Sequence, residues 1–479
     1  MKRVFSKEIW IALFICLIFT AVYLTLSLVR HNHFLSGYDL AFVNQFVYGY
    51  SHFKIPISTV GAYAFTPSFY DHIEFIYVFL SPFYWIFSDA RTLIILQAIF
   101  VGISGIPIFL LARGHKINSI LSFALLISYL SFYGIQNAIW YDVHSLVFAA
   151  VFLAFFVYFL DAGKKWLTIL FFVLAITCKE DIAFLTTLIL TAHFFRARRK
   201  LDLALIFISV IYLFALFNIF YPHFTPGYRF GEKGGVLVNI NPNNFINTIQ
   251  KREVIVYSLG WFGFLPLLFP VYLIPFFGDL FHYFVLGIGV NTAQDFFYHY
   301  RVTLAIFLIW PTILGIEKFK KLNNKYLAFY ILFWAALFTY ILHTPFTYLT
   351  KQWFWVESPS VKNINKMLSY LPANASVVSQ NNITPHISNR DNDFTLFADV
   401  KGFKDNSPCG KPQCAWFKWA GNPQYLVVDT SSEWNILQLL ANRPDFIKAL
   451  NNMEKTGTIK KYKQIGSAIM YTVEKRPFP

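Results

Sequence analysis

Charge is scarce in this chain. Of 479 residues only 14% are Asp, Glu, Lys or Arg, against about 25% in a soluble globular protein, which excludes a soluble domain as its bulk. Cysteine is scarcer still, with four in all, too few for a disulfide scaffold. Cys16 and Cys178 lie in apolar runs and read as core thiols. Cys409 and Cys414 form a close pair in a polar tail, where a disulfide requires an oxidising compartment. Neither a glycine-rich dinucleotide fingerprint nor a P-loop occurs, and HExxH and clustered cysteines are missing too, so nucleotide binding and zinc have no motif behind them. Internal repeats and heptad arrays are likewise missing.

What is present is apolar and aromatic. Hydrophobic residues make up 56% of the chain, with 56 Phe and 28 Tyr, and the mean hydropathy is +0.50. This composition predicts an α-helical polytopic membrane protein with aromatic belts at the lipid boundaries. The net charge of +15 is not a nucleic-acid footprint, because the basic residues fall in short clusters between apolar runs. Lys2/Arg3/Lys7, Arg113/His115/Lys116, Lys164/Lys165, Arg196/Arg198/Arg199/Lys200 and Lys318/Lys320/Lys321/Lys325 are therefore expected to be cytoplasmic. The first apolar run, Ile9 to Val29, is too long for a signal-peptide core and predicts an uncleaved first span with a cytoplasmic N-terminus.

This topology places an external loop over 30–70 and the segment Trp140–His144 outside. If 92–112 runs inward, the run 73–88, broken by Ser81-Pro82, has both ends outside and is expected to be re-entrant or interfacial. Residues 166–195 would be roughly 45 Å long as one helix at 1.5 Å per residue, too long for a ~30 Å core. They predict a hairpin of two short helices with Cys178-Lys179-Glu180-Asp181 at its apex. The expectation is about eleven spans plus the re-entrant element over 1–345, then an extracytoplasmic domain over 346–479. The tail predicts a small α/β fold: strands at Ala375–Ser379 and Tyr425–Asp429, a helix over Trp434–Met453 and an alternating run Lys460–Val473. The location implied is the plasma (inner) membrane.

One surface then collects most of the chemistry: Asp39, Asp71/His72/Glu74, Asp142/His144, Lys179/Glu180/Asp181 and His299/Arg301. Carboxylates beside His, Lys and Arg suit group transfer from a phosphate, the acid taking a proton and the cations stabilising what leaves. Asp39, in Ser36-Gly37-Tyr38-Asp39-Leu40 between flanking aromatics, is placed to act at the membrane surface as the catalytic carboxylate. Plainer readings stand beside these. Asp142-x-His144 and Asp71-His72 each read equally as a helix start, Arg301 as an interface anchor, and Lys179–Asp181 as a loop.

The order of motifs resembles the GT-C fold of lipid-phosphosugar-dependent glycosyltransferases. More closely, Tyr38-Asp39-Leu40, His72, Gln97, Asp142-x-His144, Lys179-Glu180-Asp181 and His299-Tyr300 resemble a family of membrane proteins of unknown function that is similar to GT-C enzymes. The tail segments Leu371-Pro372 and Pro385-His386-Ile387-Ser388-Asn389-Arg390 resemble that family's end. Two positions depart from its pattern: Ser145 replaces a proline, and Ile73-Glu74-Phe75 stands where another is usual. The resemblance implies an inverting transfer from a polyprenyl-phosphate sugar to an extracytoplasmic glycan, lipid or protein, with membrane lipids as the other partner and no nucleic acid. It makes Asp39 the base or a metal-contacting carboxylate. Lys179, Glu180, Asp181, His299 and Arg301 would meet substrate or phosphate. Asp71, His72, Asp142 and His144 would support them or hold a divalent cation such as Mg or Mn. A transporter or lipid-linked-sugar flippase, with Lys179-Glu180-Asp181 as an intramembrane charge relay, is the alternative from another class.

Overall fold

The computed structural model describes residues 7–60, 65–69, 72–224, 241–285, 295–317, 324–390, 392–398, 416–431 and 443–474. It is mostly helical with a small C-terminal sheet. The chain forms two compact units, one of Met1–Ser27, Phe69–Ile76 and Ile94–Thr350, the other of Leu28–Ser68, Tyr77–Leu93 and Lys351–Pro479. The expected cut near residue 345 thus leaves out a difference: Leu28–Ser68, read as an external loop of the membrane part, belongs by its contacts to the same unit as the tail.

The helices in order are α1 (Lys7–Asn32), α2 (Tyr38–Ser51), α3 (Ile76–Leu80), α4 (Ala90–Gly114), α5 (Ser119–Leu130), α6 (Tyr133–Trp140), α7 (Ser145–Asp161), α8 (Lys165–Ile176), α9 (Asp181–Ala197), α10 (Lys200–Ala215) and α11 (Tyr221–Phe224). There follow α12 (Ile249–Trp261), α13 (Ile274–Phe284), α14 (Leu304–Glu317), α15 (Asn324–Ile341), α16 (Pro359–Leu368) and α17 (Arg443–Lys455). Among the described residues five helical stretches are long and apolar enough to cross a membrane: Lys7–Asn32, Ala90–Gly114, Ser119–Trp140, Lys200–His223 and His299–Glu317. Shorter apolar helices accompany them, α7 and α8 included. The first unit is thus a membrane bundle, and the apolar runs of the sequence coincide with its helices.

Burial sorts those helices. The window in His299–Glu317 is 94% buried and that in Lys200–His223 only 17%, so the α14 segment lies inside the bundle and α10 leaves most of its apolar surface exposed. The breaks have local causes. Residues 177–180 separate α8 from α9, because three adjacent charges cost about 2.5–3.5 kcal/mol each at mid-bilayer. Pro266, Pro270 and Pro275 interrupt the run after α12, which becomes two short 3-10 turns, Leu265–Leu268 and Pro270–Leu273, before α13; each proline removes a helical donor. The outer helix α10 passes through a π-turn, Leu216–Phe220, instead of continuing regularly.

In the second unit the sheet comprises β1 (Val377–Ser379), β2 (Asp393–Thr395), β3 (Tyr425–Asp429), β4 (Ile459–Ile465) and β5 (Ala468–Val473), in the order β2-β1-β3-β5-β4. β2, β1 and β3 are parallel, while β5 runs antiparallel to both neighbours. Val361, Ile364 and Met367 of α16 cover one face with Val377, Val427 and Met470, and Phe446, Leu450 and Met453 of α17 cover the other with Val378, Leu426 and Ile469. Layered on both sides, the central strands β1 and β3 are mostly apolar (Val377-Val378 and Leu426-Val427-Val428), as strands buried on both faces tend to be. The expected alternating run at the end is a hairpin, turned at Gly466 with φ +55°, a conformation that costs glycine least. The expected helix from Trp434 is described from Arg443 onward; Cys409 and Cys414 lie outside the described residues.

Candidate active site

Within the bundle unit, four chain breaks bring charged side chains together. Glu180 stands at the N-cap of α9, and its carboxylate is held from the 72–74 segment: His72 Nδ1 lies 2.6 Å from Oε1, and the Ile73 amide donates to Oε2 at 3.3 Å. Glu74, on the same segment, accepts from the Ser145 hydroxyl that opens α7. The Ser145 that replaces a proline therefore supplies a hydrogen bond no proline could make.

Lys179 Nζ lies 3.5 Å from Asp181 Oδ2, and the Tyr283 hydroxyl donates to that same oxygen at 3.5 Å. Arg301 is fully buried, with Nη1 3.5 Å from Asp279 Oδ2. Its guanidinium lies 4.9 Å over the Tyr283 ring and 5.3 Å over Phe284. Thr303 donates to the other Asp279 oxygen at 3.2 Å. Arg301 is thus sealed from solvent and braces Asp279 and Tyr283.

The loop between α6 and α7 supplies a third group. Asp142 has φ +109°, a region of backbone strain for any residue but glycine. A side-chain amide holds it there: Gln97 Nε2 donates to the Asp142 carbonyl at 2.8 Å, and the His144 amide donates to Gln97 Oε1 at 3.2 Å. His144 is thereby stacked on His299, ring centroids 3.6 Å apart, with Tyr300 4.1 Å from His299 on the α14 side. Close approach of α6 to this entry depends on Gly134, where a Cβ would lie 2.3 Å from the Arg301 carbonyl oxygen.

The groups form one electrostatic neighbourhood. His282 feels Asp181, Lys179, Glu180 and Arg301 together, and His299 feels His144, Lys179, His72 and Arg301. Burial pushes the Glu74 carboxyl up from its ordinary range, against the pull of His72 and of the Ser145 hydroxyl. Burial acts the same way on Glu180, but the charge and hydrogen bond of His72 outweigh it and hold that carboxyl low. Two buried carboxyls, Glu74 two residues from His72 and Glu180 bonded to it across 108 positions of chain, are thus driven apart, one toward the neutral acid and one toward the anion, as acid–base sites require.

Of the residues singled out in the sequence, His72, Asp142, His144, Lys179, Glu180, Asp181, His299 and Arg301 lie in this unit. Asp71 lies outside the described residues. Among the described residues no three His, Cys, Asp or Glu side chains are disposed to hold a metal ion, and Glu180, Asp181 and Asp279 each already carry a protein partner. Among the described residues the cation that the resemblance implies therefore has no fitted donor set. Asp279, His282 and Tyr283 escaped the sequence reading. Their signal was available: an aspartate and a histidine inside a proline-broken apolar run are costly unless used.

Asp39 belongs to the other unit, in the first turn of α2 after Gly37 at the N-cap. An acidic residue there also complements the helix dipole. The helix is fixed by the adjacent amides Asn44 and Gln45, both buried. Asn44 donates to Ser388 Oγ at 2.7 Å and to Asn389, and accepts from the Tyr84 hydroxyl. Gln45 donates to Thr59 Oγ1 at 2.8 Å and to the Arg390 carbonyl at 3.3 Å, and accepts from the Thr59 amide at 3.0 Å. On α2's own surface, then, the Ser388-Asn389-Arg390 stretch of the tail is what the Asp39 helix is docked on.

The chain belongs to the family described as "Predicted membrane protein (DUF2079)", whose model matches residues 30–399. That match includes the α2 helix, the whole clustered site and the tail segment docked on α2. No curated protein matches the chain.

Proposed function

We propose that this member of a membrane-protein family is a GT-C-type glycosyltransferase that moves a sugar from a polyprenyl-phosphate donor to an extracytoplasmic acceptor, with inversion. The observation that supports this most is the gathering of Lys179, the His144–His299 stack and the Glu74/Glu180 pair where four helices break inside an otherwise apolar bundle. Burying so much charge is destabilising unless it is used.

In the reaction an acceptor hydroxyl oxygen attacks the anomeric carbon while the bond from that carbon to the phosphate oxygen breaks. The hydroxyl proton passes to a carboxylate, the role that the resemblance gives to Asp39, and the polyprenyl phosphate departs with the electron pair. Lys179 and the donor nitrogens of the paired histidines stabilise the departing phosphate, whose charge grows as the bond breaks. Asp181 and Tyr283 fix the ammonium, and Arg301 fixes Tyr283 from behind. Gln97 holds His144 at its place in the stack.

The test uses the full chain in proteoliposomes with a radiolabelled polyprenyl-phosphate sugar and membrane acceptors. Asp39→Asn is expected to lower transfer by about 10²–10⁴-fold, the usual worth of a general base, while leaving the protein folded and membrane-inserted. Lys179→Gln should lower it too. Unchanged transfer in Asp39→Asn removes that carboxylate from the mechanism. Movement of the labelled lipid between leaflets without any transfer would replace the reading with a flippase.

A further inference from the structure

The unit that contains α2 and the tail carries a run of large apolar side chains that are exposed among the described residues. Helix α3 and the 3-10 turn Ser81–Trp85 that continues it run for ten residues, about 15 Å at 1.5 Å per residue, half of a ~30 Å hydrocarbon core. The element is two-sided. Tyr77, Leu80, Ser81 and Tyr84 are buried, and Tyr84 and Trp85 hydrogen-bond to α2 through Asn44 and the Ser51 carbonyl. The other side is open: Phe79 is 57% exposed, Trp85 62% and Ile86 85%. Beside it the chain turns at Phe53, itself 87% exposed, whose ring lies 5.8 Å from that of Trp85. Ile55 and Phe87 extend the patch.

Cations rim this face. Lys54 sits between the exposed Phe53 and Ile55, and the Arg91 guanidinium, paired with the Asp89 carboxylate at 2.8 Å, lies 5.5 Å over the Phe87 ring. A re-entrant segment would be sheathed by protein or would line water, and an aliphatic tip as open as Ile86 suits neither. Soluble surfaces rarely carry so many large apolar side chains side by side. A short two-sided helix with aromatics on one side and basic residues at the margin has the make-up of a segment lying in the plane of a bilayer surface.

We propose that this face is an interfacial anchor: Phe53, Ile55, Phe79, Trp85, Ile86 and Phe87 enter the headgroup–acyl boundary of an anionic phospholipid leaflet, with Lys54 and Arg91 at phosphate level. Of the two fates open to the 73–88 run, the exposed side chains favour lying on the membrane over dipping into the bundle. Because Tyr84 and Trp85 are bonded to α2, the anchor also sets the depth of that helix, and Asp39 is carried at the level where lipid headgroups are presented. The inference goes beyond the transferase reading and does not depend on it.

Site-directed spin labelling tests it without any assay of activity. The full-length protein with Cys409→Ser and Cys414→Ser keeps only the buried Cys16 and Cys178. Single cysteines are added as Phe53→Cys, Ile86→Cys or, as a polar control on the exposed side of the tail unit, Lys460→Cys. Each is labelled with a nitroxide and reconstituted singly into nanodiscs of phosphatidylcholine and phosphatidylglycerol. At 53 and 86, collision with oxygen should exceed collision with a water-soluble nickel chelate, with a ratio several-fold above that at 460 and a depth of about 5–10 Å below the phosphates. Nickel access equal to the control would overturn the proposal by placing the patch in water. Shielding from both reagents would overturn it in favour of a protein-sheathed segment. Disulfide crosslinking of Ile86→Cys between two copies, with oxygen access lost, would show that a second copy covers the face instead.

Discussion

Replacing Glu180 by glutamine separates the charge of its pair with His72 from the hydrogen bonds it makes. The amide keeps the side-chain volume and one contact to each partner. What is lost is the difference between a charge-assisted bond, about 1.5–3 kcal/mol, and a neutral one, about 0.5–1.5 kcal/mol. The expected destabilisation is therefore about 1–1.5 kcal/mol. It stays below the roughly 3–5 kcal/mol of a stranded buried charge, because the His72 side chain is 29% exposed, against 6% for Glu180, and can release its proton to water. Alanine goes further, stripping the buried Ile73 amide of its acceptor at a further cost of about 1–3 kcal/mol.

The assay is thermal unfolding of the detergent-solubilised chain for the wild type, Glu180→Gln, His72→Gln and the double variant, each kcal/mol moving the midpoint by roughly 2–4 °C on the scale of globular chains. A coupling of about 1 kcal/mol is expected from the cycle; additivity within about 0.5 kcal/mol would mean the two side chains do not meet, and the site as drawn would be wrong. An acid titration gives an independent check. The Glu180 carboxyl is held low, His72 outweighing burial. Its contribution is therefore complete above the unfolded value of about 4.3 and is lost as the pH falls through the lower folded value. Glu180→Gln should lack that acid limb.

Two other perturbations test different parts of the bundle. His115 meets Asp161 at 2.8 Å through Nε2 and Glu317 at 2.9 Å through Nδ1, so both nitrogens donate and the ring is an imidazolium. Burial pulls its pKa down, yet the two carboxylates hold it raised; its contribution is full below the unfolded value of about 6.5 and fades as pH rises through the folded value. His115→Gln should cost about 1–2 kcal/mol near neutrality and flatten the alkaline limb of the stability profile; an unchanged alkaline limb would contradict the bridge. Gln97→Leu removes the two hydrogen bonds that Gln97 makes, to the Asp142 carbonyl and from the His144 amide, and should cost about 1–3 kcal/mol, less so in an Asp142→Gly background, where the turn is unstrained. A cost no larger than that of a surface substitution, by the same melting assay, would show that the amide does not hold the loop.

Legibility in the sequence followed the physics of each feature. Apolar runs between basic clusters announced the bundle, since the bilayer demands about twenty apolar residues per span and penalises charge steeply. The break at Cys178–Asp181 was readable for the same reason. The strands at Val377–Ser379 and Tyr425–Asp429 stood out as apolar runs in a polar tail. Asp279 and His282 were overlooked among the prolines of their run, and α2 lay within the 30–70 stretch read as an external loop, because the groups that fix it, Ser388 and the Arg390 carbonyl, are more than three hundred residues away.

Composition and the spacing of charge by themselves pointed to a membrane protein and to the break before α9, because transfer into hydrocarbon depends on local sequence alone, whereas of the roughly eleven expected spans five described helices are long and apolar enough to cross. Pairing was beyond them. That Glu180 answers His72, that the Asp181 beside Lys179 is met by Tyr283, that Arg301 lies against Asp279, and that Gln97 holds Asp142 so as to set His144 on His299 were decided only by the tertiary structure, since each depends on distances between helices that no one-dimensional pattern encodes.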